Sequence, residues 1–300
     1  MTEIDRWVGA FADHLTRVQG VASGTRRIYV RHARALLTTC WPTAQADWAL
    51  LTADRVTACV RAQAASLSRS SCRLPVTATR RFLRFLVSAG VVRAGLEGAA
   101  PTIRQWKRAP LPRAVTEADV QQVVAAMDPT TVVGARDQAV VLVLSRLGLR
   151  AGEVAALRVS HIDWREGRLR VVPGKTGRER VLPLPDVVGL ALVRVLKTRP
   201  ASADPDAVFL RIRPPYRPIS ASGVTAIAQH ALRRARIPVS RLGAHVFRHT
   251  VATLLVQHGV SMKAVADVLG HAQLETTAIY AKLDVETLAT VALPWPGGAQ

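Results

Sequence analysis

In the stretch HVFRHT, His245 to Thr250, two histidines stand four residues apart and so share one helix face, with Arg248 projecting close to His245. That histidine spacing suits zinc. A permanently charged guanidinium beside it opposes a cation, however, and no cysteine or neighbouring carboxylate completes a ligand set. An imidazole and a planar fork of donors on one face are better suited to a phosphate. Taken alone, the motif fits equally well a histidine capping the core beside a surface arginine. A second basic group is LGLRAGEV, Leu147 to Val154. Gly148 ends one helical pattern, so Arg150 falls at the bend before the next, where its side chain can be aimed into a cleft. Glu153, three residues on, can brace Arg150 or a nearby histidine, although an isolated R-x-x-E is also an ordinary intrahelical ion pair. In PGKTGRER, Pro173 to Arg180, Gly174 and Gly177 bracket Lys175 at the tip of a hairpin. Turn lysines are commonly solubilising. This chain has only five lysines against 36 arginines, which favours a group wanted for its ability to give up a proton. Finally, LGHAQLETTAIYAKLD, Leu269 to Asp284, places one of only three tyrosines, Tyr280, nine residues after His271.

These residues need elements to hold them. From Thr2 to about Val92 the pattern is helical, with IDRWVGAFADHL, TRRIYVRHARALL and ATRRFLRFLVSAG each repeating apolar residues at three-to-four spacing. Ser23 or Thr25 is expected to cap the second helix and Gly90 to end the last. Arg26, Arg27, Arg31 and Arg34 cluster on one of these helices, and Arg80, Arg81 and Arg84 on another. Any one cluster reads as a solvated face. Met1 to Pro110 nevertheless holds 17 basic residues against 6 acidic, a net of +11, and that asymmetry favours a phosphate-binding helical module. The segment from Gly95 to Arg113, GLEGAAPTIRQWKRAPLPR, combines glycine, three prolines and basic residues, including Lys107 and Arg108, without apolar periodicity. It reads as a cationic linker able to lie along DNA. Thr116 opens the next helix with an acidic residue three positions on. Helical patterns at Glu117 to Met127, Val133 to Leu147 and Gly152 to Leu157 give way to HIDWREGRLRVVPGKTGRERVLPLP, whose alternation and glycine turns predict three short antiparallel strands. Helices return at DVVGLALVRVLKTR, SGVTAIAQHALRRA, HVFRHTVATLLVQHG and MKAVADVLG.

The totals agree with a polyanionic partner. At 300 residues the chain is long enough for two ordinary domains. Forty-one lysines and arginines against 21 acids give a net charge of +20, a field that attracts nucleic acid. A membrane surface would also satisfy that charge, but the longest apolar run, Ala139 to Leu144, is far short of the roughly 20 residues a spanning helix needs. The polar, acidic start MTEIDRW lacks the pattern of a secretory signal, so a cytoplasmic, nucleoid-associated location is expected. Three cysteines, Cys40, Cys59 and Cys72, with no CxxC spacing, suggest buried thiols and neither a disulfide framework nor a zinc site.

The order and local spacing of Arg150, Glu153, Lys175, His245, Arg248, His271 and Tyr280 resemble those of the tyrosine recombinases, the phage-integrase-like family. The resemblance spans essentially the whole chain and is carried most specifically by HVFRHTVATLL and LGHAQLETTAIYAKLD. It implies a mainly α fold with a small antiparallel β-sheet: a helical core-binding domain over residues 1–94, a linker over 95–113 and an α+β catalytic domain with a C-terminal tail over 114–300. It further implies a site-specific recombinase or integrase that cuts and rejoins strands through a 3′-phosphotyrosyl intermediate. Tyr280 would be the nucleophile, His245 the proton acceptor, and Arg150 and Arg248 the charges holding the phosphate. His271 would add a hydrogen bond, Glu153 a support, and Lys175 the proton for the departing 5′-oxygen. No metal or other cofactor is implied. The expected partners are double-stranded DNA with paired sites, four copies of the chain on synapsed DNA, and accessory recombination proteins. Arg26, Arg27, Arg31, Arg80, Arg81, Arg84, Lys107 and Arg108 are candidate DNA contacts.

Two features depart from parts of that family. Helices begin almost at Met1, which leaves no room here for a separate arm-site-binding domain, and only 20 residues follow Tyr280. The tail ends in LPWPGGAQ, unlike the chromosome-dimer-resolving Xer relatives, and leans toward a mobile-element integrase. Val285, Leu288, Val291 and Leu293 give that tail a short apolar face. A type IB topoisomerase shares the chemistry, and a DNA-binding regulator with a silent catalytic domain shares the architecture; no catalytic residue is missing here to favour the latter.

Overall fold

The computed structural model describes residues 2–42, 46–65, 67, 71–101, 115–172, 179–200, 204–239 and 242–271. The chain divides into two compact units, Met1–Ala109 and Pro110–Gln300.

The first unit is helical. Its elements are α1 (Glu3–Arg17), α2 (Ser23–Cys40), α3 (Ala53–Ala64) and α4 (Arg73–Ser88), with single 3₁₀ turns at Trp48–Leu50 and Leu96–Ala99. Ile4, Val8, Phe11 and Leu15 recur at three-to-four spacing, so α1 buries one stripe. That stripe meets Leu36 and Leu37 of α2 and Phe82, Leu83 and Leu86 of α4 in one core. Phe11 and Phe82 pack edge to face with ring centroids 5.1 Å apart. Neither Ser23 nor Thr25 caps α2: the cap position is Ala22, without a side-chain hydrogen bond, and Ser23 is already the first helical residue. Gly90 does end α4, at φ +69°, with the Val91 N–H bonded back to Leu86 O. The start of the expected linker belongs to this unit. Leu96 and Ala100 are buried in its core, and Ala99 O and Ala100 O accept bonds from Thr57 and Arg80. An apolar leucine among glycines and alanines is enough to anchor a segment whose composition reads as loop. Residues 102–114, including Lys107 and Arg108, lie outside the described residues.

The second unit contains α5 (Glu117–Ala125), α6 (Val132–Leu147), α7 (Ala151–Ala155), β1 (Ile162–Asp163), β2 (Arg168–Val171), β3 (Arg180–Pro183), α8 (Asp186–Lys197), α9 (Ala221–Arg234), α10 (Ala244–Gln257) and α11 (Met262–Leu269). Thr116 caps α5 in a reciprocal box with Asp119. The apolar run Ala139 to Leu144 is buried all round because α6 is the central helix, packed against α5, α8, α9 and α10. The strands form one antiparallel sheet in the order β1-β2-β3, in which Leu169 pairs with Leu182 on the buried face while Arg168 and Arg170 point outward. The architecture is therefore the mainly α fold with a small antiparallel sheet that the sequence pattern predicts.

Two left-handed glycines shape the ends of α6 and α11. Gly148 ends α6 at φ +62°, and Gly270 ends α11 at φ +64° with the His271 N–H bonded to Ala266 O. A Cβ on Gly148 would lie 2.9 Å from Leu269 Cδ2 and 3.2 Å from Val251 Cγ1. Gly148→Ala is therefore expected to cost about 1–3 kcal/mol, from left-handed strain and crowding together. Denaturant unfolding of the full chain measures it, and an unchanged midpoint would contradict the close approach.

Candidate active site

The residues the sequence singles out at Arg150, Glu153, His245, Arg248 and His271 gather where α6 and α11 end. Gly148 turns the chain so that the fully buried Leu149 enters the core and Arg150 becomes the first residue outside α7. Glu153, in the first turn of α7, accepts from the Arg150 backbone N–H at 2.8 Å and from Arg150 Nη1 at 2.9 Å. The second terminal nitrogen, Nη2, donates to Gly270 O at 3.0 Å. The Arg150 side chain keeps 28 % of its surface exposed, whereas Glu153 as a residue is only 5 % exposed.

Arg248 is placed the opposite way from the reading of a core histidine beside a surface arginine. The histidine is the exposed partner and the arginine the buried one, at 5 % exposure. Helix α10 is buried on most sides, and the long arginine stem reaches through that packing to the ends of two other helices. There Nη1 donates to Gly148 O at 2.8 Å and Nη2 to Leu269 O at 2.6 Å. The last carbonyls of a helix have no partner within it and carry the negative end of its dipole, so they suit a buried guanidinium. The two C-termini thus hold Arg248 and Arg150 side by side.

His245 stands in the first turn of α10, its ring centroid 6.5 Å from that of His249. Desolvation and the charges of Arg248 and Arg150 hold its imidazole below the ordinary histidine range. His271 directly follows Gly270. Desolvation, then Arg248, Arg150 and Arg180, push it down to about 4. Both rings are therefore neutral at pH 7, each with one N–H to donate and one nitrogen able to accept. Burial alone would raise the Glu153 carboxyl. Hydrogen bonds from Arg180 and the Arg150 backbone, with both arginine charges, outweigh that and leave it below its ordinary value.

Arg180 is a site residue that the sequence pattern does not reveal. Its motif stands out for Lys175, and nothing in the alternation of β3 distinguishes an inward arginine from an outward one. Lys175 and Tyr280 lie outside the described residues, as do the tail residues Val285, Leu288, Val291 and Leu293.

In the first unit the candidate DNA contacts separate into two sets. Arg27, Arg31 and Arg84 are exposed. Arg26 bonds Thr16 at 2.9 Å, Arg80 bonds Ala100 O at 3.1 Å, and Arg81 bonds Gln19 at 2.7 Å with its guanidinium 5.4 Å from the Tyr29 ring centroid. The latter three each help hold the helices together, and Tyr29 itself is core.

Residues 113–287 match the Phage integrase family, and residues 8–90 match the phage integrase N-terminal SAM-like domain. Over 299 residues the chain is 37 % identical to a Sinorhizobium fredii protein that bears the name integrase/recombinase y4rA, covering 99 % of this chain and 72 % of that one. It is 32 % identical over 287 residues to the tyrosine recombinase XerC of Yersinia pestis, covering 95 % and 92 %. In fold it is similar to the XerH site-specific recombinase in its post-cleavage complex with a palindromic difH substrate, with a TM-score of 0.72 at 14 % identity over 96 % of this chain and 95 % of that one. It is also similar to a lambda integrase dimer bound to a COC′ core site, with a TM-score of 0.70 at 17 % identity over 100 % and 81 %. The chain belongs to the phage integrase family. It is a tyrosine-type site-specific DNA recombinase.

The depressed pKa of His271 has a defined sign. An unfolded histidine takes up its proton near 6.5 and the folded ring only near 4, so between those values acid favours the unfolded chain, while above 6.5 the ring adds no pH dependence. NMR titration of the histidine rings in the DNA-free protein is expected to show His271 neutral at pH 6 and protonating near 4; titration at 6.5 would mean the ring is neither desolvated nor flanked by guanidiniums as the structure has it.

Proposed function

We propose that the gathered residues are the phosphate-binding half of a strand-transfer site, completed by Tyr280 and Lys175. Tyr280 Oη attacks the scissile phosphorus as its proton passes to neutral His245. A phosphorus–O3′ linkage is retained while the bond to O5′ breaks, which leaves a 3′-phosphotyrosyl end. Lys175 protonates the departing 5′-oxygen. A phenol with an unperturbed pKa near 10 needs such a proton acceptor or a cationic setting. Arg150 and Arg248 balance the charge that builds on the non-bridging oxygens, and the N–H of neutral His271 donates to one of them. The phosphotyrosyl bond conserves the energy of the one broken, so a new 5′-hydroxyl reverses the step without ATP. The observation that carries this reading is the convergence of two guanidiniums and two neutral imidazoles on the paired ends of α6 and α11.

In this reading the helical unit, with residues 1–94 as the core-binding domain, lays Arg27, Arg31 and Arg84 along the DNA backbone, supported by Arg26, Arg80 and Arg81. Residues 95–113, with Lys107 and Arg108, carry the chain toward the catalytic domain of 114–300. One subunit cuts one strand, so exchange between two duplexes takes four subunits in a ring, with the segment after Tyr280 making the contact between neighbours. The physiological substrate is the paired ends of a mobile element. The likeness to XerC over nearly its full length favours a second reading, resolution of replicon dimers. Sequencing the DNA beside the gene separates the two: inverted repeats at element ends support the first, their absence the second.

Two variants test the chemistry on a nicked suicide duplex carrying the inverted-repeat site that the wild-type protein selects from a randomised library. Tyr280→Phe is expected to bind it normally and form no covalent adduct on a denaturing gel. An adduct from that variant would assign the nucleophile elsewhere. Lys175→Ala is expected to bind and to cleave about 10²–10⁴-fold more slowly. A 5′-bridging phosphorothioate, whose sulfur leaves without a proton, should restore most of that loss, and lack of rescue would reduce Lys175 to a DNA contact.

A further inference from the structure

We propose that Arg180 is a positioning residue for strand cleavage: it holds the Glu153 carboxylate so that Arg150 presents its charge to the phosphate and the turn before His271 stays fixed. The inference rests on the proposed roles of Arg150 and His271 at the phosphate.

Arg180 is the first residue of β3, five positions after Lys175 in the sequence, and its side chain is 7 % exposed. All three of its nitrogens are engaged. Nη1 and Nη2 donate to Glu153 Oε1 and Oε2 at 3.1 and 2.9 Å, and Nε donates to Val268 O at 2.7 Å. One planar group thereby joins β3, α7 and the last turn of α11. Lysine has a single nitrogen and cannot make this pattern. The fit against α11 is close: a Cβ on Gly270 would lie 2.5 Å from Arg180 Nη1. The residue after that glycine is His271.

Arg180 also has an electrostatic consequence. Glu153 is a buried carboxylate between two guanidiniums, and both oxygens are shared between Arg180 and Arg150. With one negative and two positive charges the cluster keeps a net positive charge. Without Arg180, the carboxylate would face Arg150 alone, form the full fork with it, and cancel the charge that the phosphate needs. Arg180 does not itself reach the phosphate. It acts by occupying Glu153.

The test compares wild type, Arg180→Gln, Arg180→Lys and Arg150→Ala as full-length proteins on the selected nicked duplex, with and without the 5′-bridging sulfur. Arg180→Gln is expected to bind the site within about threefold of wild type while covalent adduct forms about 10²-fold more slowly, the scale on which a misplaced catalytic group acts. Arg180→Lys, which keeps the charge and loses the fork, should fall between the two. The bridging sulfur should rescue neither, since the loss lies on the phosphate side of the reaction. Cleavage by Arg180→Gln within threefold of wild type, beside a slow Arg150→Ala, overturns the inference alone. Rescue by sulfur also overturns it, because Arg180 would then act through the Lys175 hairpin. Wild-type cleavage by Arg150→Ala overturns the proposed phosphate site instead. Should Arg180→Gln lose cooperative unfolding, the rate and sulfur response of Arg180→Lys decide by the same criteria.

Discussion

A buried carboxylate can persist only if its charge is met, and Glu153 is met from two directions by Arg150 and Arg180. The rest of the catalytic unit depends on that requirement. Arg150 is tethered at the head of α7 by both its backbone N–H and its side chain, so its exposed portion has a defined direction. Arg180 in turn pulls the start of β3 onto α7 and α11. Three elements that share no local sequence are thereby registered to within hydrogen-bond distance around one pair of oxygens. Removing Glu153 would leave two guanidiniums facing each other in a partly dry setting, and removing either arginine would leave the carboxylate with a single partner.

The second device is the use of helix ends as ligands for cations. Carbonyl groups at the C-termini of α6 and α11 have no helical partner, and here they accept from Arg248 and Arg150 rather than from water. Glycines at both ends allow it, because the left-handed turn exposes those carbonyls and lets the two helix ends approach. Desolvation, reinforced by this concentration of positive charge, then lowers the proton affinity of the histidines. Partly desolvated and next to Arg248 and Arg150, His271 and His245 are held neutral where an isolated histidine would be partly charged. On the proposed reading, an incoming phosphate would meet fixed cations and uncharged imidazoles at such a site.

In the helical unit the same residue type serves two ends. Arg26, Arg80 and Arg81 link helices or cover an aromatic ring, while Arg27, Arg31 and Arg84 face solvent. The net charge of that segment is thus carried outward by part of its arginines, and the remainder stiffen the surface that presents them.

Much of this is legible in the sequence. Apolar spacing marks α1, α2, α4 and the central α6; Thr116, Gly90 and Gly148 mark element ends; and Arg150, Glu153, His245, Arg248 and His271 stand out by type and spacing, because these signals are local and repeat within a few residues. What the sequence cannot determine depends on distance through space. It leaves open which of His245 and Arg248 is buried, since that turns on where the ends of α6 and α11 fall relative to α10. It presents Gly95 to Ala100 as linker, since burial of Leu96 is decided by helices far away in the chain. It gives no sign of Arg180, since an arginine in an alternating strand acquires a role only when a carboxylate 27 residues earlier is folded against it. Local periodicity determined the elements and the candidate residues; the pairing of buried charges, a non-local balance of desolvation against Coulomb attraction, was decided by the tertiary structure alone.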